Sequence, residues 1–316
     1  MPLTLEQYAA DYLPGRGLPW PGPPKPDPPK ARPHVGQLRV KAVLWTVYGT
    51  LLNVPGGELA FEAPVDFMMD VALDKTIQEF KMWQSMSRKP GAPAAYMKEL
   101  YTRALTMIKL AGSGAEKFPE VAAERVWDDI VKKLQQKEYT FDAGVYGGYD
   151  DFLKKLSYFF HASIQGCGAY PNAAAAVRSA GEAGKVQGLL ADGQSFTPAQ
   201  LNKCLRDQDG GFDLALFLKP SLRFLSADCK ARKPSETLFK ATVAALAGQG
   251  IAPSEALHVG SSLVRDIGPA KRHGFKTALF AGDKGSLAAT PDQLKDPAYR
   301  PDVMLTDLAQ VVDILS

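Results

Sequence analysis

From Leu38 the chain reads LRVKAVLWTVYGTLL, a β-branched and apolar run closed by a Gly-Thr turn, which is the pattern of a buried strand followed by a loop. Four more short apolar runs follow much later, at 186–191 (VQGLLA), 222–225 (LRFL), 256–259 (ALHV) and 276–280 (KTALF). Segments with helical periodicity separate them, notably 172–183, 234–247 and 263–273. Strands alternating with helices predict an α/β fold with a parallel sheet.

Between the first two strands, residues 56–165 hold no convincing strand, but apolar residues recur there at i, i+3, i+4 spacing. One stripe is Val65, Met69, Ala72, Leu73, Ile77, Phe80 and Trp83; a second runs from Met97 to Ile108, a third from Val121 to Leu134, a fourth from Tyr149 to Phe160. Such stripes of Met and aromatic residues predict the core of a four-helix bundle rather than a cofactor pocket. The expected organisation is a helical insert at 56–165 within an α/β core made of 39–55 and 166–316.

Ahead of the core, residues 14–33 contain nine prolines, and proline's fixed φ and missing N–H exclude helix interiors and central strands there. Residues 1–38 therefore read as a proline-rich arm. A tether, or a strip laid on the domain surface, is the expected role; a polyproline ligand for a partner's aromatic groove is the sharper alternative.

Composition narrows the function classes. The 316 residues are 46% hydrophobic, enough to bury a large core, and 37 basic against 34 acidic residues give a net charge of +3 with a pI near 8.6. Without a long basic run, neither nucleic acid nor a membrane surface is an expected partner. No stretch approaches the roughly 20 apolar residues of a membrane span. Cys167, Cys204 and Cys229 are odd in number and widely spaced, which indicates neither a disulfide framework nor a CxxC metal site. A cytoplasmic protein is expected.

Four separated segments bear on chemistry: Val43-Leu44-Trp45-Thr46-Val47-Tyr48-Gly49-Thr50-Leu51, Gly188-Leu189-Leu190-Ala191-Asp192-Gly193, Arg232-Lys233-Pro234-Ser235, and His258-Val259-Gly260-Ser261-Ser262-Leu263-Val264-Arg265-Asp266. In order and in placement against the strands they resemble the four signature motifs of the haloacid dehalogenase (HAD) hydrolases, and Tyr170-Pro171-Asn172 resembles that family's Tyr-Pro-Gly helix start. The resemblance spans about residues 39–316. It implies a Rossmann-like core with a helical cap of the kind inserted between the first and second motifs.

The resemblance also implies a chemistry: an Asp nucleophile that binds Mg²⁺, an Asp acid/base two residues on, a Ser or Thr on the phosphoryl group, a shielding Lys, and a metal-binding Asp. At those positions this chain has Thr46, Tyr48, Ala191, Lys233 and Ser261, with Asp266 matching the second Asp of the fourth motif. Both working carboxylates of the first motif are replaced. Loss of carboxylates at 46 and 261 predicts that no Mg²⁺ is held and that no cofactor is used.

The matching residues leave binding as the expected role. Lys233 beside the backbone after Gly49 and Thr50 could hold an anion, although an ion pair with Asp266 is the simpler expectation. Asp192, in an Asp-Gly pair, reads first as a turn former and second as a relocated carboxylate. Tyr48 and Trp45 read as filling space that metal and substrate would occupy, or as a stacking surface. His258 and His273 read as structural. The expected protein is a non-catalytic HAD-like binder of an anionic small molecule or a protein partner. The alternatives are a hydrolase with a rewired site, or a scaffold working through arm and cap surface.

Overall fold

The computed structural model describes residues 1–86, 92–112 and 114–315. Its strands are β1 (Ala42–Trp45), β2 (Leu52–Asn53), β3 (Gly168–Ala169), β4 (Val186–Ala191), β5 (Leu218–Leu225), β6 (Ala256–Gly260), β7 (Lys276–Phe280) and β8 (Val303–Leu305). Six of them form one parallel sheet in the order β5-β4-β1-β6-β7-β8, while β2 and β3 pair antiparallel on their own. β1 is wholly apolar and buried throughout, as a central parallel strand covered on both faces must be. Register pairs Trp45 with Leu189 of β4 and with Val259 of β6, so Thr46 is the first residue beyond the sheet's carboxyl edge. Open α/β sheets bind ligands at that edge, beside a strand with neighbours from both directions of winding.

Among the described residues, four long helices lie between β2 and β3, α1 (Asp66–Glu79), α2 (Pro93–Ala111), α3 (Ala123–Gln135) and α4 (Tyr149–Ile164), with a single helical turn, Ala143–Tyr146, leading into the last. Leu73, Ile77, Met97, Trp127, Ile130 and Phe159 are among the side chains that meet in their shared core. The first stripe is shorter than its periodicity predicts, because Val65 and Trp83 are exposed. Val65 is the N-cap of α1, and beyond Glu79 the left-handed Lys81 (φ 53°) turns the chain, so Trp83 no longer continues the helical face. On the sheet side lie α5 (Ala173–Glu182), α6 (Thr197–Gln208) and α7 (Glu236–Ala247).

Several element boundaries differ from expectation for local reasons. β5 begins four residues before the predicted run, since an edge strand tolerates Lys219, Pro220 and Ser221. The helix predicted from 234 begins at Glu236, where the Ser235 hydroxyl accepts the Thr237 N–H as N-cap. Residues 263–272 are helical as predicted, but the first turn, Leu263–Ile267, is π-helical and passes directly into the α-helical Gly268–Arg272.

The arm divides into two parts. Residues 5–15 form three short helical pieces whose Tyr8, Ala9 and Leu13 are buried in the core of the four-helix bundle, which the single-arm reading did not foresee. The proline-rich remainder is an extended strap. Trp20 meets Phe159 of α4 edge to face, with ring centroids 5.2 Å apart. Asn53 of β2 then donates to the Pro24 carbonyl at 2.6 Å, Asp27 pairs with Lys284 at 2.9 Å, and His34 bridges to Met304 of β8. The strap thus crosses from the helical layer to the sheet, next to the two linkers that join them.

Candidate active-site cleft

Thr46 sits where the chain leaves β1, 6% exposed, and its hydroxyl is surrounded by three side chains from two other motifs. It donates to Asp266 Oδ1 at 3.0 Å and accepts from Lys233 Nζ at 2.9 Å, and His258 Nε2 is 3.4 Å away. Lys233 pairs directly with Asp266, both side chains being almost wholly buried. The other Asp266 oxygen accepts the Ser262 N–H at 2.9 Å. Gly260 lets the carboxylate in, since a Cβ there would lie 2.4 Å from Asp266 Cγ.

Burial alone would raise Asp266, but Lys233 and His258 hold it well below the usual carboxylate range. Burial pushes His258 below its ordinary value despite Asp266 nearby. Its Nδ1 contacts the Leu44 carbonyl at 3.1 Å, and since a carbonyl can only accept, Nδ1 carries the proton and Nε2 turns its lone pair toward Thr46. The Lys233–Asp266 pair is the expected structural one. Two basic groups within reach of Thr46, however, are more than motif-matching at positions 48 and 261 foresaw.

The wall facing Thr46 carries Tyr48, Glu58, Phe61, Glu120, Asp192, Arg232 and Arg265. Tyr48 donates its hydroxyl to Gln200 at 2.7 Å, which fixes the ring against α6. Glu58, from the linker after β2, binds Arg232 at 3.1 Å through one oxygen and Arg265 through the other. Glu120 pairs with Arg232 at 3.7 Å, and burial raises its carboxyl above the ordinary value. The segment before α3 closes the top, with Arg232 N–H donating to the Phe118 carbonyl at 2.7 Å and Gln194 accepting the Ala123 N–H at 2.8 Å. The cleft left between these walls is about 30 Å³, room for a few waters at most.

Other candidates fall elsewhere. Gly49 and Thr50 do not line the cleft: their N–H groups close the turn onto Leu52 and Val47 carbonyls, at 2.8 and 3.3 Å, so they offer no anion cradle. Gly49 is needed for its φ of 79°, and a Cβ would press on Ser261 Oγ at 2.9 Å. Ala191 is buried in the sheet's core and does not reach the cleft. Asp192 does reach it, and instead of closing its own turn it accepts the Lys233 N–H at 2.8 Å. Trp45 faces away, donating to Gln187 at 2.9 Å, and so neither fills the cleft nor stacks on anything in it.

A hard divalent cation fits this donor set poorly. Ser261 and Thr46 offer neutral oxygens, and the Asp266 carboxylate is already shared between Lys233, Thr46 and the Ser262 N–H. Among the described residues no group of three or more His, Cys, Asp or Glu is arranged to hold a metal, and no helix is long and apolar enough to cross a membrane.

Comparison with known proteins bears on the fold and on the C-terminal motifs. The family described as HAD-hydrolase-like matches residues 230–311, the stretch that carries Lys233, Ser261 and Asp266. Among solved structures, a 2-haloacid dehalogenase from Pseudomonas syringae pv. Tomato DC3000 superimposes with a TM-score of 0.50 at 16% identity, covering 86% of this chain and 96% of that one. The fold is the HAD-like one. A curated relative, the Xenopus laevis phospholysine phosphohistidine inorganic pyrophosphate phosphatase, is 34% identical over 114 residues, which is 35% of this chain and 39% of the relative. The chain therefore matches well under half of that phosphatase's length.

Within the HAD-like fold, the sheet and helical insert bring together Thr46, Tyr48, Asp192, Lys233, Ser261 and Asp266. Glu58, Glu120, Arg232 and Arg265 were not singled out from sequence. Arg232 and Arg265 each stand one residue before a matching motif residue, so their position was visible. Glu58 and Glu120 lie in loops of the helical insert, where no periodicity marks them.

Proposed function

We propose that this HAD-like protein does not transfer phosphoryl groups through an enzyme aspartate and that it binds a small anion between Arg232 and Arg265. One observation carries the proposal: the Glu58 carboxylate spans those two guanidinium groups in the cleft. A carboxylate or phosphate group presents the same paired oxygens, and arginine's planar fork suits either. Lys233 is unavailable for the role, because Asp266 already answers its charge. An entering anion displaces Glu58, and with it the linker between β2 and α1, so binding and opening of the cleft are one event. An acidic side chain of a protein partner would use the same pair.

Calorimetric titration with inorganic phosphate and with a simple dicarboxylate tests this. Glu58→Ala removes the internal competitor, and if Glu58 occupies the pair 90–99% of the time, affinity is expected to rise about 10- to 100-fold. Binding by neither protein up to millimolar anion sinks the proposal. No Mg²⁺-dependent turnover of a generic aryl phosphate is expected.

A second reading has an observation of its own, the 3.0 Å contact of Thr46 with Asp266 and the His258 lone pair beside it. A hydroxyl nucleophile needs such a base. Asp266, held strongly ionised, is a weak one, which favours the binding role. Turnover that Thr46→Ala abolishes would decide for the hydrolase.

A further inference from the structure

The three cysteines are scattered in sequence, yet two of them meet. Cys167, on the linker between α4 and β3, and Cys204, on α6, have their sulfurs 4.0 Å apart. Both are free thiols. The contact lies where strap, helical layer and sheet converge, on the wall of a cavity of about 270 Å³ that also touches Trp20, Tyr158, Gln200 and Lys203. A small oxidant can reach the sulfurs through that cavity. Cys229 packs against a different part of the core and touches neither.

We infer that Cys167 and Cys204 are a modification site, a dithiol that a peroxide oxidises to a disulfide fastening the linker to α6. One thiol attacks the peroxide: an S–O bond forms, the O–O bond breaks, and one water leaves. The second thiol then attacks the resulting sulfenic sulfur, forming the S–S bond and breaking S–O, and a second water leaves. Two thiols lose two electrons and the peroxide gains them. The sulfurs must close from 4.0 Å to about 2.05 Å, a movement of about 2 Å that the cavity beside them accommodates. The contact with Cys204, and after it burial, raise the Cys167 thiol above its ordinary value, so little thiolate is present and oxidation is slow.

The consequence reaches the cleft. α6 also carries Thr197 and Gln200, whose side chains hold the Tyr48 hydroxyl at 3.0 and 2.7 Å. A bond from Cys204 to the linker ties this wall to the segment leaving the helical layer. The closed loop runs over 37 residues and restricts the unfolded chain more than the folded one.

The full-length protein treated with hydrogen peroxide, then denatured in thiol-blocking reagent and digested, gives the test. The expected result is one titratable thiol left of three, a single linked peptide pair containing Cys167 and Cys204, and a Tm raised by a few degrees that dithiothreitol reverses. Cys204→Ser should keep two thiols titratable after the same treatment. If that variant does not fold, peptide mapping of the unaltered protein decides alone. Three thiols surviving, a link through Cys229, or a Cys167–Cys204 link that leaves Tm unmoved or lower would each overturn the inference.

Discussion

The residue that sets the character of the cleft is Lys233, a buried cation whose charge is spent before any ligand arrives. Removing one member of a buried pair strands the other in a low-dielectric site, at a cost of about 3–5 kcal/mol, whereas replacing both by apolar side chains of similar volume is often close to neutral. Asp266→Asn is therefore expected to lower unfolding free energy by about 4 kcal/mol in denaturant titration. Lys233→Met with Asp266→Leu should recover most of it. Because the folded carboxyl lies below its unfolded value, the stability it contributes is present above the ordinary carboxylate pKa and fades as pH drops below that range. The Asn variant should lose that acid dependence; a variant as acid-sensitive as the parent would refute the assignment. Sequence sufficed to place Thr46, Tyr48 and Lys233 at the end of β1 and beside it, since each belongs to a motif fixed by a strand. It could not show that Glu58 reaches Arg232 from 174 residues away, because no local pattern encodes where a loop carboxylate lands.

At the scale of elements, α4 holds a buried polar group whose two nitrogens both lack a partner. His161 is 1% exposed among Phe61, Phe160 and Phe196, and neither ring nitrogen makes a hydrogen bond. Burial lowers it to about 4. A histidine depressed on folding stays neutral in the folded state while the unfolded chain takes up a proton. Stability is then lost as pH falls from about 6.5 toward 4, by about 3 kcal/mol in all. His161→Phe should flatten that slope and hold stability at neutral pH; a slope unchanged in the variant would assign it to other groups. The elements most legible in sequence were those with strong periodicity, the four helices and the central strands. β8 escaped notice because three residues at a sheet edge carry too little pattern, and apolar spacing could not tell the π-helical turn at Leu263–Ile267 from α-helix.

At the scale of the whole molecule, two linkers and the strap are, among the described residues, the segments that cross between the helical layer and the sheet. Gln165 ties the linkers together, accepting the Ala60 N–H at 3.0 Å and donating to the Glu58 carbonyl at 2.7 Å. Trp20 holds the strap to α4, with Lys75 4.2 Å above its ring. Trp20→Ala is expected to cost about 2 kcal/mol and to quicken amide exchange at Gly166 and Gly168, against which Gly22 and Pro23 pack. Exchange there at the parent's rate would mean that the strap rests on the linkers without restraining them. Proline content announced an extended segment, but nothing in its composition named the surface beneath it.

The strap's course sets an order of events during synthesis. Residues 20–34 leave the ribosome before nearly everything they rest on, yet the partners of Asp27 and His34 are Lys284 and Met304, made close to the end of this sequence. The Leu5–Gly15 pieces have their own seat only once α1 and α4 exist. A segment made before the core is thus among the last to be seated, and until then the proline-rich stretch trails from the nascent chain, exposed to whatever waits at the tunnel exit.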